Sequence, residues 1–204
     1  MQAEIVHSFV ANKSFTLALW TPIVTDEELL TQWDSLVSNE RMPDFKAVHR
    51  RREWLATRLL LRQLEIGAVD FLSSGKPVIT SGALSISHCK GSVAVVTADV
   101  NIGLDVQEPT EQIFSIRSRF CSSTEWSWLE SHAESLRALT IVWSAKEAIF
   151  KYWGELVDFA GDIEILPFHC DDAIINARYK GVHGKRDFQL WHATQEALEV
   201  VIAL

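Results

Sequence analysis

Asp105 stands in the middle of an apolar run, Ile102 to Val106, within the stretch NIGLDVQEP. An isolated ionised carboxylate in an apolar strand costs many kcal/mol or neutralises itself, so this acid demands a partner. Gln107 follows two residues later, on the same side of an extended chain. Further along, WSAKEAIFKYW sets Glu147 and Lys151 four residues apart on one helix face, with Trp143 one turn earlier and Lys146 beside them. By spacing alone Glu147 and Lys151 are a surface ion pair worth about 0.3 kcal/mol. Their company argues otherwise: Trp143, Ala145, Ala148, Ile149, Phe150 and Trp153 make the helix apolar nearly all round, and charges on a buried helix need partners. Asp105 and Glu147 together make most of a site for a hard cation such as Mg²⁺, which takes one or two carboxylates with waters and phosphate oxygens.

Cations surround these acids in the sequence. The run FKAVHRRREWLATRLLLRQL gathers Lys46, His49, Arg50, Arg51, Arg52, Arg58 and Arg62 against one acid, Glu53. ISHCKG places Ser87 and His88 at the mouth of a strand, and GKP places Lys76 in a turn whose glycine allows close approach to a phosphate. Taken singly, each reads as an ordinary surface feature: a solvated helix face, a strand-end histidine, a turn lysine. Jointly they are the inventory for phosphoryl transfer on a multiply phosphorylated ligand.

The elements that must position these residues follow from pattern. FTLALW (15–20) reads as a strand, and TDEELLTQWDSLV as a helix capped by Thr25 or Asp26. A helix is predicted from about Lys46 to Leu64, then a turn at SSGKPVI. ALSISH, SVAVVTA and NIGLDV follow as three neighbouring antiparallel strands. Two short helices come next, PTEQIFSIRSRF and SSTEWSWLE, the second capped by Ser122 or Ser123. A long amphipathic helix is predicted from about Glu134 to Trp153, followed by strands at DIEILPF, INARYK, RDFQLWHAT and LEVVIAL. A long helix followed by a strand meander, twice over, implies two α+β halves of about 100 residues, 1–107 and 108–204, packed closely around a shared cleft.

Composition bounds the reading. With 204 residues, nearly half of them apolar, the chain can bury a substantial core. A net charge of −8 argues against a general nucleic-acid binder. No window matches a membrane span or a signal peptide, which predicts a cytoplasmic protein. Cys89, Cys121 and Cys170 have no metal-ligand spacing and read as reduced thiols.

RREWLATR, GKP, LSISHCKG, IGLDV and WSAKEAIFK occur in the order and approximate spacing found in the 4'-phosphopantetheinyl transferases. Over residues 41 to 166 the chain resembles the monomeric, two-repeat type that modifies carrier proteins. The resemblance implies a pseudo-dimer of similar α+β halves, the first binding the coenzyme A nucleotide and the second carrying the catalytic helix. It implies Mg²⁺-dependent transfer of the phosphopantetheine arm from coenzyme A to a serine of an apo acyl or peptidyl carrier protein, a holo-acyl-carrier-protein synthase activity that releases adenosine 3',5'-bisphosphate. Asp105 and Glu147 would hold the metal, Glu147 would also serve as base, and Lys151, with Lys146 as a further candidate, would stabilise the phosphates. Arg51, Arg58 and His88 would contact nucleotide phosphates, while Lys76, Pro77 and Ser87 would border the adenine and ribose. Gln107 departs from the pattern, because many members carry Glu there as a third metal ligand. An amide oxygen can still coordinate Mg²⁺ but brings no charge, so weaker metal affinity is the implied direction. That departure keeps open a paralogue that binds coenzyme A or a carrier protein without transferring; a third option is a metal-dependent phosphohydrolase acting on coenzyme A alone.

Overall fold

The computed structural model describes residues 3–21, 25–34 and 41–204. The chain begins with a hairpin of β1 (Glu4–Val10) and β2 (Lys13–Trp20), turned by Ala11 and Asn12 at φ 48° and 62°. Only β2 is anticipated by the sequence pattern. Helix α1 (Asp26–Asp34) is closed by Thr25, whose hydroxyl accepts from the Glu28 N–H while the Glu28 carboxylate accepts from the Thr25 N–H. The predicted continuation of this helix at residues 35–37 lies outside the described residues. The arginine-rich helix α2 (Val48–Gln63) follows, then a small hairpin of β3 (Asp70–Phe71) and β4 (Pro77–Val78) that holds the GKP turn. Next come β5 (Ala83–Cys89), β6 (Ser92–Ala98) and β7 (Gly103–Gln107).

The second half opens with α3 (Gln112–Ile116), which runs into a 3₁₀ turn over 117–119, and α4 (Ser123–Leu129), capped by Ser122 in a capping box with Glu125. The long helix α5 (Ser135–Trp153) ends at Gly154, left-handed at φ 90°. Strands β8 (Ile163–Ile165), β9 (Ile174–Gly181), β10 (Gly184–Gln195) and β11 (Leu198–Ala203) complete the chain. The protein is α+β, as its pattern predicts.

One predicted pairing is wrong. β5 and β6 form the expected antiparallel hairpin in a sheet ordered β1-β2-β6-β5, but β7 leaves that sheet and pairs with β11 in another, ordered β7-β11-β10-β9-β8. Strand 103–107 therefore belongs structurally with the residues that follow it. β7 still lies beside β5, and side chains join them. Ser85 Oγ accepts from the Leu104 N–H at 3.0 Å, Ser87 Oγ from Val106 at 3.2 Å, and Cys89 Sγ from Glu108 at 3.2 Å. Two sheet edges are thus joined by alternate side chains of one strand, and backbone N–H groups that would otherwise be orphaned are satisfied.

α2 covers one face of the first sheet through Leu55, Leu59 and Leu60 against Trp20, Val93 and Val95. α5 covers one face of the second through Ile141, Ala145 and Ile149. The remaining faces meet in a shared core, Leu17, Leu19 and Val96 against Leu104, Val200 and Ile202. α5 lies so close on β7 that a Cβ added to Gly103 would stand 1.9 Å from the Ala148 carbonyl oxygen and 2.5 Å from the Tyr152 nitrogen. Both are backbone atoms, so no rotamer change relieves the clash. Gly103→Ala is expected to cost at least about 3 kcal/mol, read as a lowered urea midpoint. Parental stability would mean that helix and strand do not touch there.

Candidate functional site

The closeness at Gly103 brings the C-terminal turns of α5 onto Asp105, two residues along β7 on the same face. Asp105 is buried, at 2 % exposure. Its Oδ1 accepts from Lys151 Nζ at 2.7 Å and from Ser87 Oγ at 3.0 Å, whereas its Oδ2 is buried without a hydrogen-bond partner. Lys151 directs its remaining protons to Ser87 Oγ at 3.0 Å and the Leu104 carbonyl at 2.9 Å. An ammonium has three protons, so Lys151 must release one of these bonds to touch a phosphate directly.

Glu147 lies one turn before Lys151. Burial pushes its carboxyl up to about 7, the Asp105 charge pushes in the same direction, and Lys151 opposes. Two acids that repel each other within one enclosed site are the arrangement a cation relieves. Asp105 Oδ2 and the Glu147 carboxylate are donors of the kind Mg²⁺ takes, so the residues fit that ion. Gln107, half-buried, continues the same face of β7 and could add an amide oxygen. Among the described residues, no group of three or more His, Cys, Asp and Glu side chains converges as a metal site.

A cavity of about 200 Å³ lies beside Lys151, lined by Lys76, Pro77, Ser85, Ile86, Phe150 and Gly154 among others. Lys76 donates to Asn101 Oδ1 at 2.8 Å and to the Tyr152 carbonyl at the end of α5, tying the β3–β4 hairpin to the helix. Burial holds its pKa below the usual lysine range. His88 stands between this region and α2, one edge open to solvent. Thr57 donates its single hydroxyl proton to the Glu53 carbonyl at 2.7 Å, so at 3.3 Å it accepts from His88 Nε2–H, leaving Nδ1 unengaged by Thr57. Burial pushes the His88 pKa down, Glu53 opposes, and Lys151 and Arg50 reinforce the fall. Arg58 stacks over Trp54 at 4.8 Å, and Arg51 lies on the same helix.

Two sequence-predicted residues have other partners. Lys146 is fully buried on a different face of α5 from Glu147. Its ammonium lies 2.7 Å from Glu125 and 2.8 Å from each of the Phe120, Phe159 and Ile163 carbonyls, one acceptor more than its three protons. One residue along a helix is a turn of about 100°, which carries Lys146 from the site into the core. Ser87 is buried at 3 % exposure, with its hydroxyl bonded to Asp105, Val106 and Lys151. The sequence reading missed Gly103 as a packing device, Thr57 and Asn101. The readable signal for the seam was the polar alternation Ser85, Ser87, Cys89 along an otherwise apolar strand.

A family model for the 4'-phosphopantetheinyl transferase superfamily matches residues 101–204. The chain belongs to that superfamily. Transfer of phosphopantetheine from coenzyme A to carrier proteins is therefore its general activity. No curated protein was found to match the chain. The matched segment includes β7 and α5, and so Asp105, Gln107, Glu147 and Lys151; α2, Lys76 and His88 lie before it.

The raised Glu147 value fixes a pH dependence of stability. Below the ordinary carboxyl value of 4.5 both folded and unfolded forms hold the proton. Between 4.5 and about 7 the unfolded chain ionises while the native state keeps its proton, so native stability falls as pH rises through that window. With some allowance for solvent, the loss is about 2 kcal/mol. In EDTA, urea melts of Glu147→Gln are expected to lack this decline, leaving the variant the more stable protein at pH 8 and the two alike near pH 4. Parallel curves for both proteins would refute the raised value.

Proposed function

We propose that the chain transfers the 4'-phosphopantetheine arm of coenzyme A to a serine hydroxyl of an apo acyl or peptidyl carrier protein. The serine oxygen attacks the phosphorus bearing the pantetheine arm, the pyrophosphate P–O bond breaks, and adenosine 3',5'-bisphosphate leaves. The observation that carries this reading is the buried Asp105, anchored through Oδ1 with Oδ2 unpartnered, beside a Glu147 whose carboxyl is held near 7. Asp105 and Glu147 would hold Mg²⁺, which neutralises pyrophosphate charge when bound, with Gln107 as an uncharged third donor.

The partner supplies the nucleophile, so the protein needs positioning, charge neutralisation and a base. Glu147 is also the candidate to accept the serine proton, directly or through water. Lys151 contributes a fixed positive charge at the departing phosphate. In this reading the first 107 residues hold the nucleotide: Arg51, Arg58 and His88 against phosphates, Lys76 and Pro77 beside the adenine and ribose. Three unpaired thiols suit a reducing cytoplasm. The second half carries the catalytic helix, and the two form one transferase unit that acts as a monomer.

Gln107 and the lack of a three-residue His/Cys/Asp/Glu metal group among the described residues favour a second reading, a paralogue that binds coenzyme A or a carrier protein without transfer. Incubation with coenzyme A, Mg²⁺ and several apo carrier proteins separates the two. The transferase reading requires the phosphopantetheine mass on the carrier, abolished in a folded Glu147→Gln protein. Bound coenzyme A with no adduct on any carrier would establish the paralogue, and bisphosphate release without a carrier would establish a hydrolase. Gln107→Glu is expected to lower the Mg²⁺ concentration for half-maximal transfer by roughly tenfold; an unaltered titration would remove position 107 from the metal.

A further inference from the structure

The hydroxyl of Ser87 makes three hydrogen bonds and has no capacity left over. A serine hydroxyl has one proton and two lone pairs. Ser87 Oγ accepts from the Val106 N–H at 3.2 Å and from Lys151 Nζ at 3.0 Å, which fills both lone pairs. Its proton then goes to Asp105 Oδ1 at 3.0 Å. Two of the three partners are fixed by other structure, Val106 by its ladder to β11 and Lys151 by the Leu104 carbonyl, whereas the Asp105 carboxylate has hydrogen bonds only from Ser87 and Lys151.

The neighbouring rungs of the seam lack this connection. Ser85 Oγ accepts from Leu104 and Cys89 Sγ from Glu108, and among the described residues no hydrogen bond joins either to a charged side chain. Structural need accounts for an acceptor at position 87, as it does at 85 and 89. It does not account for a hydroxyl proton aimed at the one buried carboxylate on β7.

We infer that Ser87 is a positioning residue, which fixes the rotamer of Asp105 so that Oδ1 stays with Lys151 and Oδ2 is the oxygen offered to the metal. This rests on the metal-dependent reading of the site. A carboxylate held through one oxygen presents the other in a single orientation, and outer partners of this kind change metal affinity by about 10- to 100-fold when removed. Without the Ser87 proton, Asp105 is free to rotate and engage Lys151 through either oxygen, and the charge of Lys151 then competes with the cation.

The test uses Ser87→Ala and Ser87→Cys in the full chain, with Cys89→Ala as the comparison. Ser87→Cys keeps a sulfur acceptor for the Val106 N–H, of the type Cys89 already supplies to Glu108, but gives a much weaker donor to Asp105. Binding of Mn²⁺ in the presence of coenzyme A is followed by loss of the free-ion electron paramagnetic resonance signal, with circular dichroism confirming that each variant is folded. Both Ser87 variants are expected to bind Mn²⁺ at least about tenfold more weakly than the parent. Cys89→Ala loses a seam rung of the same kind and is expected to lower the thermal midpoint with Mn²⁺ affinity unchanged. Affinity within twofold of the parent in folded Ser87→Cys overturns the inference, as does an equal loss in Cys89→Ala, which would make the effect one of the seam as a whole. A parent that binds no Mn²⁺ removes the metal reading itself and the role of Ser87 with it. That failure is distinguishable, because it occurs before any substitution is made.

Discussion

Everything at the candidate site depends on how closely a helix backbone can lie on a strand backbone. α5 rests on β7 at Gly103, where even one methyl group would meet a carbonyl oxygen and a backbone nitrogen. That contact sets the height of α5 above the strand, and the height decides whether Lys151 reaches Asp105 and whether Glu147 faces it. The glycine and aspartate of GLDV are therefore one device. The first admits the helix, and the second, on the same face two residues later, meets what the helix brings.

The same helix shows how one element serves stability and chemistry without mixing them. Lys146 and Glu147 are adjacent in sequence and have opposite fates. Lys146 is enclosed with Glu125 and three carbonyl acceptors, a fully satisfied buried pair whose disruption would leave a charge uncompensated at about 3 to 5 kcal/mol. Glu147 is left with repulsion from Asp105, partial burial and one nearby lysine. Satisfaction on one face and frustration on the next is how a rigid helix can present a reactive carboxyl group. Glu125, which also caps α4, shows the satisfied side linked to the wider fold.

Much of this arrangement was legible in the sequence. Helical periodicity located α2 and α5 to within a residue or two, and alternation located β5, β6 and the C-terminal strands. Asp105 and Glu147 are readable as partners because each carboxylate is chemically out of place in its apolar surroundings, whereas the direct pairing of Lys151 with Asp105 is not. The failures have a common physical origin. Local pattern reports which residues form a strand but not which edge that strand joins, so β7 was assigned to its sequence neighbours although its ladder is with β11, nearly a hundred residues away. The burial of Lys146 with Glu125 is not readable either, because its neighbour in sequence, Glu147, lies on another face of the helix. The bonds of Ser87 to Asp105, Val106 and Lys151 are hidden for a similar reason, since a hydroxyl gives no sequence sign of being saturated by its own protein.

The seam of Ser85, Ser87 and Cys89 has a consequence for solubility and assembly. β5 and β7 are each the outermost strand of a sheet, and an open strand edge is a template on which another chain can pair and aggregate. Here the N–H groups of one edge are taken by side chains of the other, so both edges are closed against each other inside a single molecule. A backbone ladder would have closed them too, but at a fixed spacing and as one continuous sheet. Closure by side chains keeps two sheets distinct and lets a single residue adjust the gap between them, at the position where the buried carboxylate and its lysine must fit.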